Sequence, residues 1–147
     1  MKVLDTNILV YAHREEMSFH ERAQVVVRQL SEDTATWAIP WPSIHEFLAV
    51  VTNPRLFKLP TTMEKAWLFL GALVASPSLR LLSETPEHYA TLRSLLKASK
   101  AVGPKVHDAR IAALCIEHGA EALLSADRNF SRFPSLRVIN PLIEASV

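Results

Sequence analysis

Residues 2–13, KVLDTNILVYAH, change character in the middle. Lys2 to Leu4 is a short apolar strand, and Thr6 to His13 follows at once as a helix whose apolar residues are Ile8, Leu9, Val10 and Tyr11. Asp5 is left at the junction. The same alternation repeats down the chain. Ser18 and Glu21 have capping-box spacing ahead of a second helix carrying Val25, Val26, Val27 and Leu30, which stops in the polar run 31–34. Residues 37–39 read as the next strand, and Pro40 and Pro42 precede a helix over about 43–52 with Ile44, Phe47, Leu48, Val50 and Val51 on its apolar side. Thr61 and Glu64 repeat the capping-box spacing before an apolar helix running to about Ala75, and 79–82 is the third strand. Thr85, with Pro86 after it, caps a helix to about Ser99, and a loop through Gly103 and Pro104 leads to a helix over 107–118 closed by Gly119. Residues 121–125 form strand four, 128–133 a turn or short helix, and 136–139 strand five.

Strands separated by connections of this length favour parallel pairing, and parallel sheets are covered on both faces. The expectation is therefore an α/β fold with a mostly parallel central sheet, in one domain spanning residues 1–147. In such sheets ligand sites form beyond the carboxyl ends of the strands. The longest apolar stretch, 66–75, is far shorter than the roughly 20 residues needed to cross a bilayer. With no signal-peptide pattern either, a soluble cytoplasmic protein without a membrane partner is expected. Cys115 is the sole cysteine, so no intrachain disulfide forms, and its place in an apolar helical pattern predicts a buried, inert thiol. The formal charge of +1 carries no bulk signature of nucleic-acid binding. Only three glycines occur (Gly71, Gly103 and Gly119), which excludes a P-loop or a dinucleotide fingerprint. Trp37, Trp41 and Trp67 read as core residues, although Trp41, between two prolines, is placed to contact a base.

The acids are distributed more pointedly than the net charge. There are four aspartates, and Asp5, Asp108 and Asp127 all lie where an apolar element begins or ends. With Glu46, early in the helix after strand two, they project toward one edge of the sheet. Two like charges about 4 Å apart at an effective dielectric near 20 cost on the order of 4 kcal/mol, a cost that a divalent cation removes. Oxygen-only donors suit magnesium or manganese, and no His/Cys spacing of the kind zinc prefers is present. Each acid also has a local explanation. Asp5 and Asp108 are acceptable helix caps, Ser43 to Glu46 is a capping box, and Asp127 orders a turn. Local capping does not explain why Asp occurs almost solely at this edge.

Four segments carry a family resemblance: Val3-Leu4-Asp5-Thr6-Asn7, Glu46-Phe47-Leu48, His107-Asp108-Ala109, and Ser125 through Asp127 and Asn129 to Phe130. In this order and spacing they resemble the acidic motifs of PIN domains, and Thr52-Asn53-Pro54-Arg55 is similar to the VapC toxin branch. The resemblance implies a PIN-like three-layer α/β/α sandwich, a magnesium-dependent endoribonuclease (Mn2+ being an alternative ion), a VapB-like antitoxin partner and a homodimer. It implies that Asp5, Glu46, Asp108 and Asp127 form the catalytic set, with Asp5, Asp108 and Asp127 on the metal and Thr6, Asn7, Ser125 and Asn129 as supporting polar groups. Asn129 stands where many members have another aspartate, so a neutral ligand replaces a charged one. Arg14, Arg55, Lys58, Lys105, Arg110, Arg128 and Arg132 lie near the same edge and are candidates for RNA phosphate contacts. Two other readings fit parts of the pattern. The first five residues of the motif resemble the start of haloacid-dehalogenase phosphatases, but Asn7 stands where that family wants a second aspartate. A catalytically degenerate PIN fold serving as an RNA-binding or scaffolding module is the other.

Overall fold

A computed structural model of the chain describes residues 1–143. Five strands, β1 (Lys2–Leu4), β2 (Trp37–Pro40), β3 (Leu79–Leu82), β4 (Ala122–Leu124) and β5 (Val138–Ile139), form one sheet in the order β3-β2-β1-β4-β5. Every pairing is parallel, so the expected mostly parallel sheet is parallel throughout. Six helices occur among the described residues: α1 (Thr6–His13), α2 (His20–Glu32), α3 (Trp41–Val51), α4 (Met63–Val74), α5 (His88–Ser99) and α6 (Lys105–Glu117). A 3-10 turn, Arg128–Arg132, joins β4 to β5.

Alternation along the strands builds the layers, because successive side chains point to opposite faces. Leu4, Ile39, Leu124 and Ile139 join α1 to α4 in one buried cluster, where Ile8, Leu9, Val26, Phe47 and Leu70 meet them. Val3, Ala38 and Leu123 turn the other way, onto Ala109, Ala112 and Cys115 of α6, with Phe130 from the 3-10 turn, Phe133 just after it, and Leu92, Leu95 and Leu96 from α5. The sheet is thus the middle of three layers. Cys115 is buried as expected, and burial pushes its thiol up to about 12, which keeps it protonated.

Several local signals resolve differently from their sequence reading. The capping box at Ser18 and Glu21 does not form: α2 begins at His20 after Phe19, without a side-chain cap. α3 starts at Trp41 rather than near 43, because Pro40 has the extended geometry of an N-cap and Pro42 falls in the first turn, where its missing N–H costs nothing. Ser43 is therefore inside the helix, fully buried with its hydroxyl oxygen unpartnered, and forms no capping box with Glu46. The cap of α4 is Thr62, whose hydroxyl accepts the Lys65 N–H, while the neighbouring Thr61 serves a tertiary contact with His13. Thr85 does not cap α5 itself: its hydroxyl accepts the Glu87 N–H ahead of the helix and donates to Glu117. α6 begins at Lys105, earlier than expected, and Gly119 closes it with φ of +65°, a conformation that glycine adopts without a Cβ penalty. Trp37 is core, but Trp41 and Trp67 are 37% and 52% exposed, which corrects their assignment to the interior.

Phe47 is the residue on which the α1–α3–α4 layer closes. It is fully buried, stacks on Phe69 at 5.2 Å between ring centroids and meets the edge of His13 at 5.5 Å. Replacing it with Ala is expected to cost about 3–5 kcal/mol in urea unfolding. Leu59→Ala, at a position 82% exposed, is expected to stay within about 0.5 kcal/mol of wild type.

Candidate active site

The topology opens a crevice at one point. From β1 the chain moves outward through β2 to β3, then returns to the far side of β1 for β4 and β5. α1 to α4 cover one face and α5 and α6 the other, so the connections leaving β1 and β4 depart in opposite directions. Such a switch point leaves space beyond the carboxyl ends of the two strands. Asp5 follows β1 and Ser125 follows β4, and the strands are locked in register there by the Asp5 N–H donating to the Leu124 carbonyl at 3.0 Å.

Asp5 has an extended backbone and ends α1 as its N-cap, its Oδ1 accepting the Thr6 N–H at 2.8 Å. Its other oxygen, Oδ2, accepts from the Ser125 hydroxyl at 2.7 Å and from Asn7 Nδ2 at 3.2 Å. Asn7 also binds across the crevice, its Oδ1 accepting the Ala126 N–H at 3.1 Å. Ser125 Oγ accepts the Asp127 N–H at 3.0 Å, and Asp127 Oδ1 accepts the Asn129 N–H at 2.8 Å, fixing the turn after β4. Thr6 donates its hydroxyl to Glu46 Oε2 at 3.3 Å, tying α1 to α3. The capping readings of Asp5 and Asp127 thus hold alongside their placement at the site, whereas the capping readings of Glu46 and Asp108 do not: α6 has no side-chain cap.

Asp5, Glu46, Asp108 and Asp127, from four different segments, line one cavity of about 230 Å³ with Thr6 and Asn7. The remaining wall is apolar: Val10, Tyr11, Met17, Val50 and Ile111. This wall escapes a reading by motif, although Tyr11 lies four residues beyond Asn7 and so on the same side of α1. Burial is the main force on Asp5, only 5% exposed, and pushes its carboxyl up to about 6. The Ser125 and Thr6 hydrogen bonds oppose that rise, and the charges of Glu46 and Asp127 add to it. Asp108 is also raised, by burial first and then by Asp127 and Glu46, against the opposing charges of His107 and Arg132. The charges of Glu46 and Asp127 therefore reach both Asp5 and Asp108. Among the described residues, no group of three His, Cys, Asp or Glu side chains is drawn together closely enough to make a finished metal shell.

The remaining candidates divide. Asn129 has an exposed side chain and contributes its backbone N–H. Arg14 is committed internally: it bonds Glu16, the Leu59 carbonyl and the Thr61 hydroxyl and lies 4.1 Å over the Phe57 ring, pinning the loop between α3 and α4. Arg110 faces Glu84 at 3.5 Å, while Arg55, Lys58, Lys105, Arg128 and Arg132 are exposed. None of these cations lines the acidic cavity, and Arg128 lines a second cavity adjoining it at Asp127.

Residues 2–136 match the family model described as PIN domain. The chain is 37% identical over 142 residues to ribonuclease VapC43 of Mycobacterium tuberculosis, covering 97% of this chain and 96% of that one. It is 34% identical over 146 residues to ribonuclease VapC25 of the same species, covering 97% and 100%. A crystal structure of VapBC2 from Rickettsia felis, bound to a DNA fragment from its promoter, matches the fold with a TM-score of 0.67 at 22% identity, covering 94% of this chain and 96% of that one.

The raised carboxyl of Asp5 has a consequence for stability. Between its ordinary value of 3.8 and about 6, the folded chain keeps a proton that the unfolded chain has lost. Stability of the metal-free protein is therefore expected to fall as pH rises through that window, by on the order of 3 kcal/mol from Asp5. Urea unfolding in EDTA from pH 4 to 7 measures the slope, and Asp5→Asn is expected to remove most of it.

Proposed function

The chain belongs to the PIN-domain family and, within it, to the VapC ribonucleases of VapBC toxin-antitoxin pairs, and on that premise we propose that it is a magnesium-dependent endoribonuclease hydrolysing RNA phosphodiester bonds. The observation that carries this reading is the convergence of four carboxylates, delivered by four separate segments, on one cavity beyond the β1–β4 switch point.

The donor chemistry fits a hard divalent cation. The acids supply oxygen only, and the upward push on Asp5 and Asp108 is relieved by a positive charge placed among them. Asp5, Asp108 and Asp127 would hold Mg2+, or Mn2+ in its place. When bound, the ion supplies a water of lowered pKa and compensates charge on the phosphoryl oxygens. The chain's own residues do the rest. Ser125, Asn7 and the Thr6 N–H fix both oxygens of Asp5. Glu46, held by Thr6 but exposed, orients a water and accepts its proton. The apolar wall of Val10, Met17 and Val50 limits bulk water in the cavity. Arg55, Lys105 and Arg128 remain available for backbone phosphates, and Arg110 joins them once released from Glu84; Arg14 is spoken for by the α3–α4 loop.

A VapB-like antitoxin is the proposed protein partner. The Rickettsia felis relative is a VapBC protein, and α4 exposes Met63, Trp67 and Leu68, apolar side chains of the kind that mark protein-binding surfaces. A non-catalytic scaffold is the second reading, favoured by Asp5 and Asp127 already serving as caps. Purified, partner-free chain incubated with single-stranded RNA separates the two. Cutting is expected with Mg2+ or Mn2+ and not with EDTA. Asp108→Asn is expected to slow it by on the order of 100-fold or more, beyond the 10- to 100-fold typical of an outer-shell partner. No cutting by folded wild type would favour the scaffold, and an unchanged rate in the variant would remove Asp108 from the metal set.

A further inference from the structure

Beside the acidic cavity lies a larger one of about 580 Å³ to which no role has been given. The two share Asp127. The acidic cavity lies beyond the carboxyl end of β1, and its neighbour is lined by the segment that joins β4 to β5, by Val138 of β5 and by Asn140 just after it, on the β5 side of the sheet. Its floor is apolar, with Phe130, Phe133, Leu136 and Val138. Its rim is polar, with Arg128, Ser131 and Asn140.

The rim groups are free to bind. Asn140 uses its Oδ1 to accept the Leu142 N–H at 3.0 Å, and its amide nitrogen donates to no group among the described residues. Arg128 is exposed and makes no ion pair among the described residues, and the Ser131 hydroxyl has no partner there either. An apolar hollow of a few hundred cubic ångströms with a small number of placed polar groups is the general form of a small-ligand pocket. Single-stranded RNA is read by splaying a base out of the stack and burying its faces in such a pocket.

We propose that this second cavity is a nucleotide subsite, holding the base adjacent to the phosphate that is cleaved, with Arg128 on the backbone between the two cavities. The proposal rests on the ribonuclease reading and adds to it where the chain takes hold of its substrate. Asp127 then stands at the boundary between chemistry and recognition: it lines both cavities, and the turn it caps supplies Arg128, Phe130 and Ser131 to the wall of the base pocket. Cleavage specificity would be set on the β5 side of the sheet, by residues that are no part of the acidic set.

The test pairs a filled pocket with a missing base. Ser131 is exposed, so Ser131→Trp closes the mouth without disturbing the core, which a thermal melt verifies. The substrate is the RNA that wild type cuts best from a randomised pool, remade with an abasic ribose at each position flanking the cleaved bond in turn. At one position, loss of the base is expected to lower the wild-type kcat/KM by roughly five- to a hundred-fold, the worth of one stacked base. Ser131→Trp is expected to show that loss already on the intact RNA, mainly through KM, and to lose little more on the abasic one, because both changes remove the same contact. If the two losses multiply at every position, or Ser131→Trp cuts with wild-type kcat/KM and base preference, the subsite is wrong while the nuclease stands. If wild type cuts no RNA, the ribonuclease reading itself fails and the subsite falls with it.

Discussion

A carboxylate that is 95% out of water and close to other carboxylates has to be held by donors or neutralised, and Asp5 is in that position. Its two oxygens receive three hydrogen bonds, one from the start of its own helix and two that depend on the other side of the crevice or reach toward it. The β1–β4 register brings Ser125 to the right height, and Asn7 braces the same junction by accepting from Ala126. Those bonds lower the cost of ionising Asp5 without cancelling it. The residual cost is a charge requirement, one that the proposed divalent cation would meet.

The rest of the fold supplies the setting. A sheet with β1 at its centre, reached from both sides, leaves one gap between connections, and the helices that follow parallel strands return their N-terminal ends to it. Strict two-residue alternation in β1, β2 and β4 divides the core so that α1 to α4 and α6 close on opposite faces, while Thr6 and Asp108 in the first turns of α1 and α6 and Glu46 in the second turn of α3 meet at the same cavity. The pinning of the α3–α4 loop by Arg14 and His13 through Thr61 belongs to the same frame, because it steadies the end of α1 opposite Asp5.

The strands and the four acids were legible in the sequence because both depend on short-range facts: apolar alternation, and acids at the ends of apolar elements. Their assembly was legible through the rule that parallel sheets gather helix N-termini at one edge. Local polar signals were less reliable. Ser18 with Glu21 and Ser43 with Glu46 have capping-box spacing, but Pro40 starts α3 early, Ser43 is drawn into the core and Glu46 bonds to Thr6 instead. Arg14 reads as a phosphate contact until the loop at 57–61 folds over it, an event between distant segments that no local pattern records. The apolar wall of Tyr11, Met17 and Val50, and the second cavity near Arg128, are likewise products of packing.

The central claim is that the carboxylates at the β1–β4 switch point are a charge deficit awaiting a divalent cation. Thermal melting of metal-free protein with and without Mn2+, at pH 7.5 and at pH 4.5, addresses it without reference to RNA. Because burial and neighbouring acids raise the carboxyls of both Asp5 and Asp108, Mn2+ is expected to raise Tm at pH 7.5, to do so far less at pH 4.5, and to have little effect on Asp108→Asn at either pH. A Tm indifferent to Mn2+ at pH 7.5, or raised equally at both pH values and in the variant, would contradict it.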